Sequence, residues 1–187
     1  MFKTARQFED QAAAGDWLGE VFGGWADRLP AEEHGALADY KGEGYRSLNA
    51  ALRPRAPLSA EQTRSVGLLD RALARFSLPE PVLVHRGFQL AGVALSGAVI
   101  QDPAYLSTSL LARHAEGFVN LPAGQASRPA LARVLLPAGI RCGAPDLIEY
   151  LGEVEILLTR GQRLLIRDAT APTPKQPVWR LDLEALP

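Results

Sequence analysis

The chain has 187 residues, 47% of them hydrophobic and 22% charged, the composition of one ordinary globular domain with a sizeable core. With 20 basic and 21 acidic side chains the formal charge is −1, which provides no electrostatic track along DNA or RNA. The lone Cys142 excludes an internal disulfide framework and a zinc site of several cysteines, and no stretch approaches the ~20 apolar residues that span a bilayer.

The opening "MFKTARQFEDQ" lacks a continuous apolar run and is not a Sec-type signal peptide. Export would need another route, or the chain is the catalytic part of something longer. The first part, 1–78, reads as mainly helical. Phe8, Ala12, Leu18, Val21, Phe22, Trp25 and Leu29 recur at three- and four-residue steps, interrupted by glycines. A short helix is expected after Pro30, with acids in its first turn. A glycine break at Gly42 and Gly44 is expected next, then a second short helix ending before Pro54. Ser59 reads as an N-cap with Glu61 behind it, ahead of a stripe of Val66, Leu69, Leu73 and Phe76.

From 79 to 187 the pattern turns to strands. "PVLVHRG", two short segments in "GAVIQDPAYLSTSL", and "ALARVLLPAG" are bounded by Pro and Gly. "EVEILLTRG" and "QRLLIRDAT" read as a β-hairpin turning at Thr159-Arg160-Gly161, and "VWRLDLEAL" as a last strand. Helices first and strands later, without βαβ alternation, predict an α+β fold: N-terminal helices packed on a mostly antiparallel β-sheet.

Several residues in the strand half carry chemistry. Arg86 ends an apolar strand before Gly87. It reads either as a surface arginine or as a fork of donors for phosphate or carboxylate, with the glycine permitting close backbone approach. Ser107, Thr108 and Ser109 are hydroxyl residues in an apolar segment, and Ser107 and Ser109 share one face of an extended chain. Phe118 reads by itself as core. Glu153 and Glu155, two apart, also share one face if the chain is extended. Paired carboxylates suit chemistry on a sugar, where one steadies an oxocarbenium-like transition state and the other handles a proton on the nucleophile. His34 and His114 are too separated to form a pair, and Cys142 reads as a small packing residue.

In order, an aromatic-rich helix, a strand with Arg-Gly, Ser-Thr-Ser and Glu-x-Glu resemble the bacterial mono-ADP-ribosyltransferases of the Arg/Ser-Thr-Ser/Glu-x-Glu class. The likeness is nearest to the exoenzymes of actin-modifying binary toxins and of vegetative insecticidal toxins, and it spans most of the chain. "YKGEGYRSLNAALR" resembles the helix that floors the NAD site, with Tyr40, Tyr45 and Asn49 in matching spacing. "VLVHRG" resembles the strand of the NAD-binding arginine, and "LIEYLGEVEILL" the substrate-recognition loop running into the catalytic strand. Two departures stand out. His85 replaces the tyrosine that many relatives keep before the arginine. The second basic residue that some relatives have after the phenylalanine finds its only counterpart in the distant Arg128.

The resemblance implies NAD as co-substrate, no metal, and one catalytic domain over 1–187. Arg86 would hold an NAD phosphate beside Gly87, and Ser107 would orient Glu155, with Thr108 and Ser109 supporting the strand. Glu155 would meet the nicotinamide-ribose 2′-hydroxyl and the charge at the anomeric carbon. Phe118 would pack on the nicotinamide, Tyr45 would touch phosphates or ribose, and Asn49 would support that helix. Glu153 would receive an acceptor arginine, and Tyr150 would touch the target protein that bears it. Glu149 receives no role. The implied protein is a secreted or injected effector acting in a target-cell cytoplasm, with a target protein and an immunity protein or chaperone as its partners; membrane and nucleic acid are not among them. The same residues leave two other readings: an NAD glycohydrolase with water as acceptor, and a non-catalytic binding module of the same fold.

Overall fold

A computed structural model of the chain describes residues 2, 4–54, 57–91, 94–119 and 127–187. Helix α1 (Gln11–Ala26) starts where the Asp10 side chain accepts a hydrogen bond from Ala13 N at 2.9 Å. It buries Ala14, Trp17, Leu18, Phe22 and Trp25. The expected stripe therefore shifts: Ala12 is exposed, Phe8 precedes the cap, and Trp17 joins the core. Gly15, Gly19 and Gly24 do not interrupt this helix. They lie on its exposed side, where the entropic cost of about 0.5–1 kcal/mol each is outweighed by the aromatic packing opposite.

The glycine break is also absent. Helix α2 (Ala31–Asp39) runs through a turn of π-helix (Tyr40–Gly44) directly into α3 (Tyr45–Leu52). Gly44 serves this wider turn because a Cβ there would lie 2.7 Å from Asp39 O. The extra residue of a π-turn rotates the helix after it, and both Tyr40 and Lys41 are buried. Helix α4 (Ala60–Ala74) opens with a capping box between Ser59 and Gln62, one residue beyond the expected Glu61. Its Val66, Leu68, Leu69, Ala72 and Leu73 face the core.

The strands are β1 (Val82–Ala91), β2 (Val99–Gln101), β3 (Leu106–Ser109), β4 (Ser127–Leu136), β5 (Cys142–Gly143), β6 (Glu155–Leu158), β7 (Arg163–Thr170) and β8 (Trp179–Ala185). Helix α5 (Ala112–Gly117) separates β3 from β4. The eight strands run in the order β2-β7-β8-β4-β1-β3-β6-β5, and of the seven pairings between these strands β4 with β8 alone is parallel. The α+β architecture with a mostly antiparallel sheet is thus the one expected.

The β-hairpin is not. β6 pairs with β3 and β5, whereas β7 pairs with β2 and β8. Laid flat, five strand spacings of ~4.8 Å would put them ~24 Å apart, yet the link from Leu158 to Arg163 reaches at most ~18 Å. The sheet must curl so that its ends approach, and Gly161 N donating to Asp102 O at 3.1 Å joins the turn to the end of β2. The pairing of β1 with β3 has a single register point, His85 opposite Ser109. One apolar core runs continuously from Trp17 and Phe22 of α1 through Leu69 of α4 to Ile156 of β6 and Leu183 of β8. No helix of the described residues is long and apolar enough to cross a membrane.

Candidate active site

Strand β6 begins only at Glu155, so Glu153 and Glu155 do not converge by strand alternation. Gly152 has φ 72° and Val154 φ 45°. A β-branched residue in the left-handed region is strained and persists only when its surroundings hold it there. Val154 N donates to Asp146 Oδ2 at 2.6 Å, its carbonyl accepts from Leu110 N at 3.1 Å, and its side chain is buried. Next to it, Ser109 Oγ donates to the Glu153 carbonyl at 2.7 Å. This kink, rather than an extended segment, turns both carboxylates to one point.

That point is the ammonium of Lys41. Its Nζ donates to Glu153 Oε2 at 2.6 Å and to Glu155 Oε2 at 2.7 Å. Asp146 Oδ1 lies 2.7 Å away as an ion pair without hydrogen-bond geometry. The three carboxylates gather closely enough to share a cation, and Lys41 is the cation they share. Side-chain exposure is 2% for Lys41 and 7% for Glu155 but 38% for Glu153, so one glutamate faces inward and the other outward.

Burial dominates the electrostatics. It pushes the Glu155 carboxyl up, with the Asp146 charge adding to the rise and Lys41 and the Ser107 hydroxyl opposing it. Burial disfavours the charge of Lys41 as well, but Glu155, Asp146 and Glu153 together more than offset this and hold it above its ordinary range. Tyr40 is pushed up to about 12 by burial and by the Glu155 charge.

The other expected site residues divide into those brought to this centre and those left outside it. Ser107 lies within hydrogen-bonding reach of both Glu155 and Tyr40. Arg86 donates from Nη1 to the Ser107 carbonyl at 2.5 Å and stacks 6.0 Å from the Phe88 ring. Burial lowers its basicity, and the negative charges it senses, Asp102 and Glu155, act across space. Thr108 Oγ1 donates to Ile156 O at 2.7 Å and fastens β3 to β6. Asn49 is buried, donating to Tyr40 Oη at 2.9 Å and accepting from Tyr105 N at 3.3 Å. Tyr45 packs edge-on against Tyr40, 6.4 Å between ring centres, and its hydroxyl accepts from Arg46 Nε.

Gly87 needs its missing side chain, though for a neighbour within the fold: a Cβ would lie 2.0 Å from Ala115 O of α5. Phe118 caps the end of α5 and is 39% exposed, outside the Lys41 cluster and not in the core. Tyr150 and Leu151, 76% and 54% exposed, project from the loop before the kink. His85 lines a separate cavity of about 340 Å³ with Arg133, Arg180 and Asp182. Arg128 is exposed on β4 opposite Leu90, and residues 120–126 before it lie outside the described residues. Cys142 is buried, and His114 is half-buried with Nε2 3.0 Å from Gln11 Oε1, so only His34 of the two histidines is fully at the surface.

Sequence reasoning missed Lys41 and Asp146. Lys41 lies inside the stretch singled out for its tyrosines, but the π-turn that buries it has no periodic signature. Asp146 follows Pro145 like any loop acid.

The family of ADP-ribosyltransferase exoenzymes matches residues 14–185, and the chain belongs to it. Three solved bacterial proteins share the fold. Plx2a, an ADP-ribosyltransferase toxin from Paenibacillus larvae, is 22% identical over 96% of this chain and 98% of its own, with a TM-score of 0.79. The Clostridium limosum C3 exoenzyme is 19% identical over 99% and 98%, with a TM-score of 0.81. C3stau2 from S. aureus, solved with NAD, is 17% identical over 98% and 99%, with a TM-score of 0.76. No curated protein sequence matches the chain.

Proposed function

We propose that the protein transfers ADP-ribose from NAD to an arginine of a target protein and releases nicotinamide, with residues 1–187 as one catalytic domain. The observation that carries this reading is the convergence of a buried Glu155 and a solvent-facing Glu153 on one point, 2.7 and 2.6 Å from Lys41 Nζ. Such a pair suits a reaction in which charge develops inside a cleft while a nucleophile arrives from outside. The likeness to a relative solved with NAD supports that co-substrate.

NAD supplies the glycosidic bond to be cleaved and its own leaving group, so the scheme draws on no metal. Arg86 fits a phosphate: one donor of its fork is used on Ser107 O and others remain for an anion. Glu155, steadied by Ser107, accepts from the 2′-hydroxyl of the nicotinamide ribose and stabilises positive charge at the anomeric carbon. Phe118 packs on the nicotinamide, and Tyr45 contacts the phosphates or ribose. Glu153 orients the incoming guanidinium, and Tyr150 touches the target protein. The protein acts as a secreted or injected toxin in a target-cell cytoplasm.

Labelled NAD and a target-cell lysate test this reading: a labelled protein band is expected, with the modification mapped to arginine by mass spectrometry. Label on another residue overturns the arginine assignment. A second reading, NAD glycohydrolysis, is favoured by the contact that already occupies one oxygen of Glu153. Nicotinamide release without any labelled macromolecule would establish it instead.

A further inference from the structure

The reaction as drawn leaves the centre of the site without a task. Lys41 Nζ is held by three carboxylates from three places: Asp146 in the 3₁₀ turn Pro145–Leu147, Glu153 before the kink and Glu155 at the start of β6. An ammonium has three donors. Two are spent on Glu153 and Glu155, and Asp146 Oδ1 closes the remaining side as an ion pair at 2.7 Å, which leaves no open side for a substrate. It is also shut from solvent, 2% exposed, so what it does it does through the glutamates.

Building on the assignment of Glu155 to the breaking bond, we propose that Lys41 is a positioning residue of the reaction. Its ammonium pins one oxygen of each glutamate of the pair, opposes the protonation of Glu155, and leaves the second oxygen of each for the ribose hydroxyl and the acceptor. A lysine suits the task better than an arginine. Its compact point charge on a flexible stem can serve acids from three directions, whereas a planar fork matches one carboxylate at a time. The π-turn is the local device that aims this side chain inward.

The groups acting on Glu155 are Lys41 and Tyr40 from the π-turn, Asp146, Glu153 beyond Val154, Arg86 on β1 and Ser107 on β3. Burial and Asp146 favour the protonated acid, and Lys41 is the nearest opposing charge. An Asp or Glu whose proton is held more tightly ionises at higher pH, so the acid limb of activity should follow the charge beside it.

The test is NAD hydrolysis across pH by Lys41→Gln, Lys41→Arg and Asp146→Asn, each checked for its melting temperature and for NAD affinity by calorimetry. Lys41→Gln should lose about 100-fold in kcat, with the acid limb of kcat/KM moved up by about 1–3 pH units. Lys41→Arg should bring the limb back without restoring full rate. Asp146→Asn, which can still accept from Val154 N, should move the limb down. A Lys41→Gln enzyme with unchanged rate, or a slow one whose limb does not move, overturns the proposal. If Lys41→Gln does not fold, Asp146→Asn decides, and an unmoved or rising limb is the refuting result. A wild type that cleaves no NAD at any pH refutes the parent reading, and this one with it.

Discussion

Asn49 illustrates what single side chains do in this protein. Its amide joins α3 to the Tyr40 hydroxyl on one side and to the backbone of Tyr105, just before β3, on the other. Tyr105 is itself fully buried, its hydroxyl donating to Asp70 Oδ1 at 2.8 Å. Asn49→Ala leaves the Tyr105 amide without its side-chain acceptor and takes one of two hydrogen-bond partners, Asn49 and Ser107, from the Tyr40 hydroxyl, and a loss of about 1–3 kcal/mol of stability is expected from chemical denaturation. An unchanged denaturation midpoint would mean that water replaces the amide. The tyrosine and asparagine spacing is legible in the sequence, because short motifs of unlike residues are rare. Lys41 is not, since a lone lysine between a tyrosine and a glycine gives no hint of burial.

At the scale of elements, the sequence marks where strands lie better than how they pair. Each strand segment expected after Pro81 forms, yet "EVEILLTRGQRLLIRDAT" does not fold on itself. Its two halves belong to opposite ends of the curled sheet. Hairpin recognition rests on a short polar link between apolar runs, and that pattern is the same whether the strands pair or part. The start of β6 is hidden for a related reason: Asp146, eight residues before Val154, fixes the kink there, and no local pattern reports it. Gly87 shows the converse. A glycine beside the arginine does mark a close approach, but what approaches is the backbone of α5. Gly87→Ala should push α5 off β1 and cost about 1–3 kcal/mol, with loss of NAD binding if Phe118 at the end of that helix stacks on the nicotinamide. A stable variant with full NAD affinity would show that α5 moves freely without affecting the site.

For the whole molecule, the helical half and the sheet meet at the Lys41 cluster. The π-turn supplies the cation, and the loop and β6 supply the acids, so the site exists only when the two halves are packed together. The α+β architecture is readable from helices preceding strands, and the family resemblance from four short motifs in order. The curl of the sheet and the meeting of Lys41 with its acids depend on tertiary contacts that no segment encodes alone. The central claim is a division of labour between the two glutamates, and parallel assays of NAD hydrolysis and protein labelling on Glu155→Ala and Glu153→Ala test it most directly. Glu155→Ala should abolish both activities, whereas Glu153→Ala should lose labelling and retain hydrolysis. Equal loss of both activities in the two variants, or hydrolysis that survives without Glu155, would contradict the account.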